Sequence, residues 1–337
     1  LNTTAIAYPS IRPLFSAREI SDGWLNQLKP FWQKMQSGVL TSADNLQLRY
    51  YYHLVPNAQN AIVISSGRME MALKYAELCF ELTQAGYSVF LLDHRGQGLS
   101  QRELSNPHKG YVANFELYQQ DFAQFVQQIV LPSQHQRHIA LGHSMGCAIL
   151  ASYLQQPHPF QAAILASPMF GIYTGLVPTG IATTITCTFS ALNRAVSKTP
   201  WYFLAQGNYQ EKAFRHNPLT SCQQRYQGVL QRYQEQPQSQ LGGVTSAWID
   251  AAIVAMNQIQ QDAAKWHTPT LLLQAGADKV VSNHAQNAWY QQLPSAVLHQ
   301  KVILAMAKHE IFIEQDHIRQ KAITAINTFL AQLPSIR

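Results

Sequence analysis

The chain has 337 residues, 47% of them hydrophobic and only 12% charged, enough to bury a large α/β core and too apolar for a disordered protein. Its 24 Lys and Arg against 18 Asp and Glu leave a formal charge of +6. Those cations are scattered, which excludes nucleic acid as a partner and leaves a weak attraction to anionic membrane surfaces.

Residues 1–38 form an N-terminal segment in which Trp24, Leu25, Leu28, Phe31, Trp32 and Met35 follow the spacing of an amphipathic helix packed on the core. A strand is expected over 46–55, reached by a turn at 43–45. Residues 61–65 and 88–92 are short apolar runs that read as buried strands. A helix lies between them, with Leu73, Ala76 and Phe80 inside and Glu77, Glu81 and Gln84 outside. That alternation implies parallel strands with right-handed crossovers. The Gly96-Gln97-Gly98 turn lacks a third glycine and a following helix, so it reads as a tight turn and not a dinucleotide site. Asn114 can cap a helix carrying Phe115, Tyr118, Phe122, Phe125 and Ile129.

The most informative stretch is 139–151. An apolar run leads into Gly142-His143-Ser144-Met145-Gly146, and a helix-like run follows at once. Gly-x-Ser-x-Gly between a strand and a helix is a nucleophile elbow. The serine sits on a strained turn, and the flanking glycines let neighbouring backbone pass closely. After another strand at 162–165 the alternation stops. Residues 168–266, rich in aromatics, proline and glutamine, read as an insertion that covers the site. Alternation resumes with a strand at 270–274 ending in Asp278, a strand at 297–304 followed by His309, and a final helix through Leu333. The organisation expected is therefore 1–38, a core of 39–167 and 267–337, and the insertion.

A serine hydroxyl needs a base and the base an orienting acid. Asp278 and His309 follow late strands in the order Ser, Asp, His, on the rim that carries the elbow. Asp250, Asp262, His284 and His299 are rivals, but none follows a strand in the required place. The oxyanion donors expected are the N–H groups of Met145 and Arg68. Arg68 is also a candidate head-group contact, or else a brace paired with Glu70 or Asp93. His135 and His138 read as a solvated pair, and no metal or cofactor motif is found. Four well-separated cysteines argue for a reducing compartment, and residues 1–20 carry no signal-peptide core. The expectation is a cytoplasmic protein in peripheral contact with the inner membrane.

Several motifs together resemble the bacterial lysophospholipase L2 family, α/β hydrolases related to monoglyceride lipases. They are Ser66-Gly-Arg-Met-Glu70, Lys74-Tyr-Ala-Glu-Leu78, Asp93-His-Arg-Gly-Gln-Gly98, Gly110-Tyr-Val, His143-Ser-Met-Gly146, Ser167-Pro-Met-Phe-Gly171, Leu219-Thr with Arg225-Tyr226, Leu271-Leu-Leu-Gln-Ala275 and His309-Glu-Ile. The resemblance implies an α/β-hydrolase fold with a mostly parallel sheet and a helical cap. It implies metal-free hydrolysis of the acyl ester of a lysophospholipid by Ser144, His309 and Asp278. Two departures stand out: Cys147, where glycine is common, and Ser65-Ser66, where many lipases carry His-Gly. The second argues against a monoglyceride-lipase substrate and leaves the oxyanion geometry open. The alternatives on the same core are monoacylglycerol lipase, general carboxylesterase or peptidase, with a catalytically dead lipid-binding protein as the reading from another class.

Overall fold

In the computed structural model, which describes residues 8–175, 177 and 179–334, the chain opens on α1 (Ile20–Gly23) and α2 (Lys29–Lys34), joined by a π-turn at Trp24–Leu28. Trp24, Leu28, Phe31 and Met35 are buried, but Leu25 is 61% exposed. It lies about 100° round the helix from Trp24, off the packed face. An antiparallel hairpin follows, β1 (Gln36–Thr41) and β2 (Gln47–His53), its turn made by Asn45 at φ 67°. The expected strand is β2; β1 has no apolar alternation to announce it, because it is an edge strand that buries only Leu40.

From there the chain alternates through β3 (Asn60–Ser65), α3 (Ala76–Gln84), β4 (Ser88–Leu92), α4 (Glu116–Phe125), β5 (Arg137–His143), α5 (Met145–Tyr153) and β6 (Phe160–Ala166). The insertion then carries α6 (Thr179–Val196), α7 (Gln223–Glu235) and α8 (Ser246–Gln261). The core closes with β7 (Thr270–Ala275), α9 (Asn283–Gln291), β8 (His299–Leu304) and α10 (Asp316–Leu330). One eight-stranded sheet results, in the order β1-β2-β4-β3-β5-β6-β7-β8, parallel from β4 to β8. Every residue of β3, β4, β5 and β7 is buried, which is why these strands read as unbroken apolar runs.

Helices cover both faces. Phe122 and Phe125 of α4, Ile149 of α5, Trp248 and Ile259 of α8 and Trp289 of α9 build one apolar layer. Phe31 of α2, Leu78 and Leu82 of α3, and Ile318, Ile326 and Phe329 of α10 build the other. Part of the insertion, α8, thus belongs to the core packing, while Val229 and Tyr233 of α7 join Trp24, Leu28 and Ile313 in a smaller cluster.

One expectation about α3 is overturned. Glu77 and Glu81 are buried, not solvated. Glu77 takes Arg225 at 2.9 Å and Arg319 at 3.0 Å, and Glu81 takes Arg319 at 2.7 Å. Those guanidiniums arrive from α7 and α10, far along the chain, so local periodicity could not reveal them. Removing one partner of such a buried pair costs about 3–5 kcal/mol. The Asp93 turn is structural as expected. Its carboxylate accepts the Ala72 and Leu99 N–H groups at 2.7 and 2.8 Å, Gly96 and Gly98 have φ of 74° and 54°, and a Cβ on Gly98 would collide with that carboxylate.

Candidate active site

β5 delivers the chain to Ser144, which adopts φ 52°, ψ −117° before α5 begins at Met145. A positive φ is strained for a side chain with a Cβ, and here the surroundings impose it. The Ser144 N–H donates to Ala166 O at 3.0 Å, and its C=O accepts from the Cys147 and Met169 N–H groups at 3.0 and 3.1 Å. A Cβ on Gly142 would press on the Cys147 backbone at 3.0 Å; one on Gly146 would land on the Ser65 carbonyl. The small residues on either side of Ser144 are thus a packing requirement of the turn.

Three residues from different strand ends meet here. Ser144 Oγ lies 2.9 Å from His309 Nε2, and His309 Nδ1 lies 2.8 Å from Asp278 Oδ2. Asp278 Oδ1 accepts the Val280 and Val281 N–H groups at 2.7 and 3.1 Å. Those two bonds turn the second carboxylate oxygen toward the imidazole. The His309 carbonyl is pinned from two sides, by Ser167 Oγ at 2.7 Å and His143 Nε2 at 3.1 Å. Such a chain can pass a proton from hydroxyl to imidazole while the carboxylate fixes the tautomer. The rival acids are engaged elsewhere: Asp250 pairs with Arg194, and Asp262 with Lys265.

The loop after β3 lies beside the elbow. Gly67 N–H donates to Glu70 Oε2 at 2.6 Å and its C=O accepts from Gln97 Nε2 at 2.7 Å. Among the described residues the Arg68 N–H finds no acceptor. The Met145 N–H, first in α5, has no intrahelical one. The two N–H groups expected as oxyanion donors thus lie in the loop after β3 and at the start of α5.

The Arg68 side chain pairs with neither Glu70 nor Asp93, whose oxygens are committed to other groups. Its Nη1 instead donates to Gly242 O of the insertion at 3.1 Å, and its guanidinium carbon stands 5.6 Å from the Trp248 ring centroid. Among the described residues it has no ion pair, and burial pulls it down to about 10. His138 is a second correction. It is buried, edge-on to Phe160, and burial together with His135 pulls it down to about 4. It is a neutral core histidine, not half of a solvated pair.

Sequence reasoning missed a buried charge network behind the elbow. Lys74 Nζ bridges Glu70 at 2.8 Å and Glu310 at 2.5 Å, Tyr75 Oη donates to Glu70 at 2.5 Å, and His143 Nδ1 lies 2.8 Å from Glu70. The only local signal was the four-residue spacing of Glu70 and Lys74. Glu70, His143 and Glu310 bring one potential metal-ligating atom each within 4.8 Å, but the Lys74 ammonium already serves as their cation. Burial alone would lower His143; the charges of Glu310 and Glu70 outweigh it and push it up to about 9. Unfolded histidine titrates near 6.5. A raised folded value means its stabilisation, on the order of 3 kcal/mol, is complete below about pH 6.5 and lost as pH rises through about 9. Urea unfolding at a series of pH values should show wild type losing stability across that window, and His143→Gln losing much less.

Residues 56–316 match the family model described as Hydrolase_4: Serine aminopeptidase, S33. The chain is 35% identical over 314 residues to "Lysophospholipase L2" of Escherichia coli (strain K12), covering 90% of each. It is 30% identical over 309 residues to "Probable lysophospholipase L2" of Haemophilus influenzae, covering 91% of this chain and 95% of that one. Among solved structures, a soluble variant of monoglyceride lipase from Saccharomyces cerevisiae superposes with a TM-score of 0.66 at 16% identity, over 89% of this chain and 97% of that one. A thermostable carboxyl esterase from Bacillus coagulans gives 0.67 at 15% identity, over 89% and 98%. At those identities the structures speak for the fold, an α/β hydrolase. The sequence matches go further, and the chain belongs to the Hydrolase_4 family of α/β hydrolases, among the relatives of lysophospholipase L2.

Proposed function

We propose that the protein is a serine hydrolase that cleaves the acyl ester of lysophospholipids through an acyl-enzyme on Ser144. The observation that carries this reading is the unbroken Ser144–His309–Asp278 hydrogen-bond chain, in a chain related to lysophospholipase L2. His309 takes the Ser144 proton as Oγ attacks the ester carbon, and returns it to the departing glycerol oxygen. Asp278 stabilises the imidazolium, and the Met145 and Arg68 N–H groups hold the oxyanion. Water, activated by His309, then releases the fatty acid. The part of residues 168–266 that precedes α8 acts as a cap. Tyr233 Oη on Met69 O at 2.6 Å, Arg68 on Gly242 and Glu310 N–H on Leu219 O at 2.8 Å tie this segment to the loops around the site.

Arg68 favours a phosphate-bearing substrate over a monoacylglycerol. It is a guanidinium without a carboxylate, on the loop that carries an oxyanion donor, and such a fork grips phosphate oxygens with bonds worth roughly 1.5–3 kcal/mol. Arg68→Gln and Arg68→Lys keep the backbone donor. On a panel of lysophospholipid, monoacylglycerol, short p-nitrophenyl ester and aminoacyl amide, lysophospholipid should be the best wild-type substrate. In Arg68→Gln its kcat/KM should fall about tenfold or more, while monoacylglycerol turnover largely survives. Equal loss on both substrates, or none, removes Arg68 from recognition; a preference for the amide overturns the substrate class.

The cap also presents a surface suited to lipid. α6 is amphipathic in the inverted sense. Ser190 and Asn193 are buried and hydrogen-bonded to the α8 region, while Ile181, Ile185, Leu192 and Val196 are 46–60% exposed. Exposed Arg194 and Lys198 flank that stripe and α6 carries no acid. No helix among the described residues is long and apolar enough to cross a membrane. The face thus suits a helix lying on an anionic bilayer. Co-sedimentation with vesicles of phosphatidylglycerol and phosphatidylethanolamine should fall several-fold in Ile185→Asp/Leu192→Asp, with hydrolysis of a water-soluble short ester unchanged. Wild-type-like sedimentation would remove α6 from membrane contact.

A further inference from the structure

A cavity of about 120 Å³ opens between the N-terminal helical stretch and α7, with Trp24, Leu25, Lys74, Gly228, Arg232 and Ile313 among its walls. That is room for about four waters at the volume each takes in the liquid. Ser144, Asp278 and His309 do not line it. The cavity is set apart by Arg232, which is 6% exposed and lies with its guanidinium carbon 3.9 Å from the Trp24 ring centroid. Its Nε is buried without a hydrogen-bond partner, and among the described residues no carboxylate lies within ion-pair distance.

Arg225, two turns earlier on the same helix, shows what a satisfied guanidinium looks like in this interior. It bonds Glu77 through Nε and Nη2, Asp316 and the Glu314 carbonyl through Nη1, and the Phe15 carbonyl through Nη2. The acid on the cavity wall, Glu77, is already shared between Arg225 and Arg319. Lys74 is committed to Glu70 and Glu310. Arg232 is left as a buried cation held by an aromatic face and facing open space. Burial of such a charge is costly unless a counter-charge accompanies it, and that burial pulls Arg232 down to about 10.

We propose that this cavity is an oxyanion-binding site, in which the Arg232 fork, backed by Trp24, grips a phosphate group. A planar guanidinium offers two parallel donors to phosphate oxygens, and the aromatic platform holds the plane in place. The phosphate can come from free inorganic phosphate or from the glycerophosphodiester released by the proposed reaction; only the second source rests on that reading.

The test is calorimetric titration and thermal unfolding of the full chain in phosphate-free buffer of matched ionic strength. Inorganic phosphate and glycerophosphoethanolamine serve as probes and chloride as the control. Wild type should bind at least one probe saturably and unfold at higher temperature in its presence. Arg232→Met, which keeps the stem on Trp24, should weaken binding at least tenfold and abolish the shift. Gly228→Leu keeps the guanidinium but fills the space beside it, since a Cβ at Gly228 already stands 3.3 Å from Arg232 Nη1. It should lose binding too, and it carries the test if Arg232→Met does not fold. Tighter glycerophosphoethanolamine binding assigns the site to the product, and tighter phosphate binding assigns it to the free ion. No saturable binding of either probe to wild type, or equal binding by wild type and both variants, overturns the proposal.

Discussion

Ser144→Ala should lower lysophospholipid hydrolysis by about 10⁴ to 10⁶, with the far-ultraviolet circular dichroism and urea midpoint close to wild type. The magnitude is what loss of a nucleophile acting with its base commonly costs. The fold should tolerate it, because removing Oγ leaves the backbone bonds of the turn, to Ala166, Cys147 and Met169, in place. Relief of a single hydroxyl at a strained φ of 52° removes no packing. His309→Ala should be as inactive, since it takes away the acceptor 2.9 Å from the hydroxyl. Asp278→Asn should lose less, yet still orders of magnitude. An amide nitrogen in place of Oδ2 would turn a hydrogen-bond acceptor into a donor facing Nδ1, and select the wrong tautomer. Single-turnover rates on a short p-nitrophenyl ester measure all three. Ser144→Ala within tenfold of wild type would end the assignment, and a dead Asp262→Asn beside an active Asp278→Asn would mean the acid is misidentified.

The largest structural effect is expected at Gly146. An added methyl there would overlap the Ser65 carbonyl and stand 2.6 Å from the Ser66 carbonyl oxygen. Both are backbone groups of β3 and its loop, so no rotamer change relieves the clash. The choice is between displacing α5 and displacing the loop that carries the Arg68 N–H. Overpacking of this kind costs typically 1–3 kcal/mol and occasionally more; against rigid backbone, Gly146→Ala should cost about 3 kcal/mol. A shift of about 1 Å at a reacting centre lowers rate on the order of 10²-fold, so kcat should fall at least that far in whatever fraction folds. Gly180→Ala is the control, because nothing lies within 4 Å of a Cβ there. Urea denaturation and kcat for the two variants should diverge sharply, and a wild-type-like Gly146→Ala would mean the elbow does not need close backbone approach.

What is legible in the sequence is what is local. The buried parallel strands declare themselves as apolar runs, and the elbow declares itself because β5, the serine and α5 are contiguous. Asp278 and His309 could be placed because loops after parallel strands share a rim, whatever their sequence distance. Glu77 and Glu81 could not be read correctly: alone on a helix they look solvated, and only Arg225 and Arg319 from elsewhere explain their burial. The same holds for Arg68, whose acceptor is a glycine carbonyl of the insertion, a partner no side-chain pattern encodes. β1 leaves no mark in the sequence because an edge strand with one buried residue has almost no periodicity. His138 looks solvated in the sequence because its environment is Phe160, which arrives from the next strand.

Acylation of Ser144 by a lysophospholipid can be seen by trapping the acyl-enzyme. Wild-type protein is mixed with a palmitoyl lysophospholipid, acid-quenched within the first turnover and digested for peptide mass spectrometry. A palmitoyl adduct is expected on the peptide containing Ser144, absent from Ser144→Ala and depleted when a fluorophosphonate is added first. Acylation of a different residue, or release of palmitate by Ser144→Ala at the wild-type rate, would contradict it.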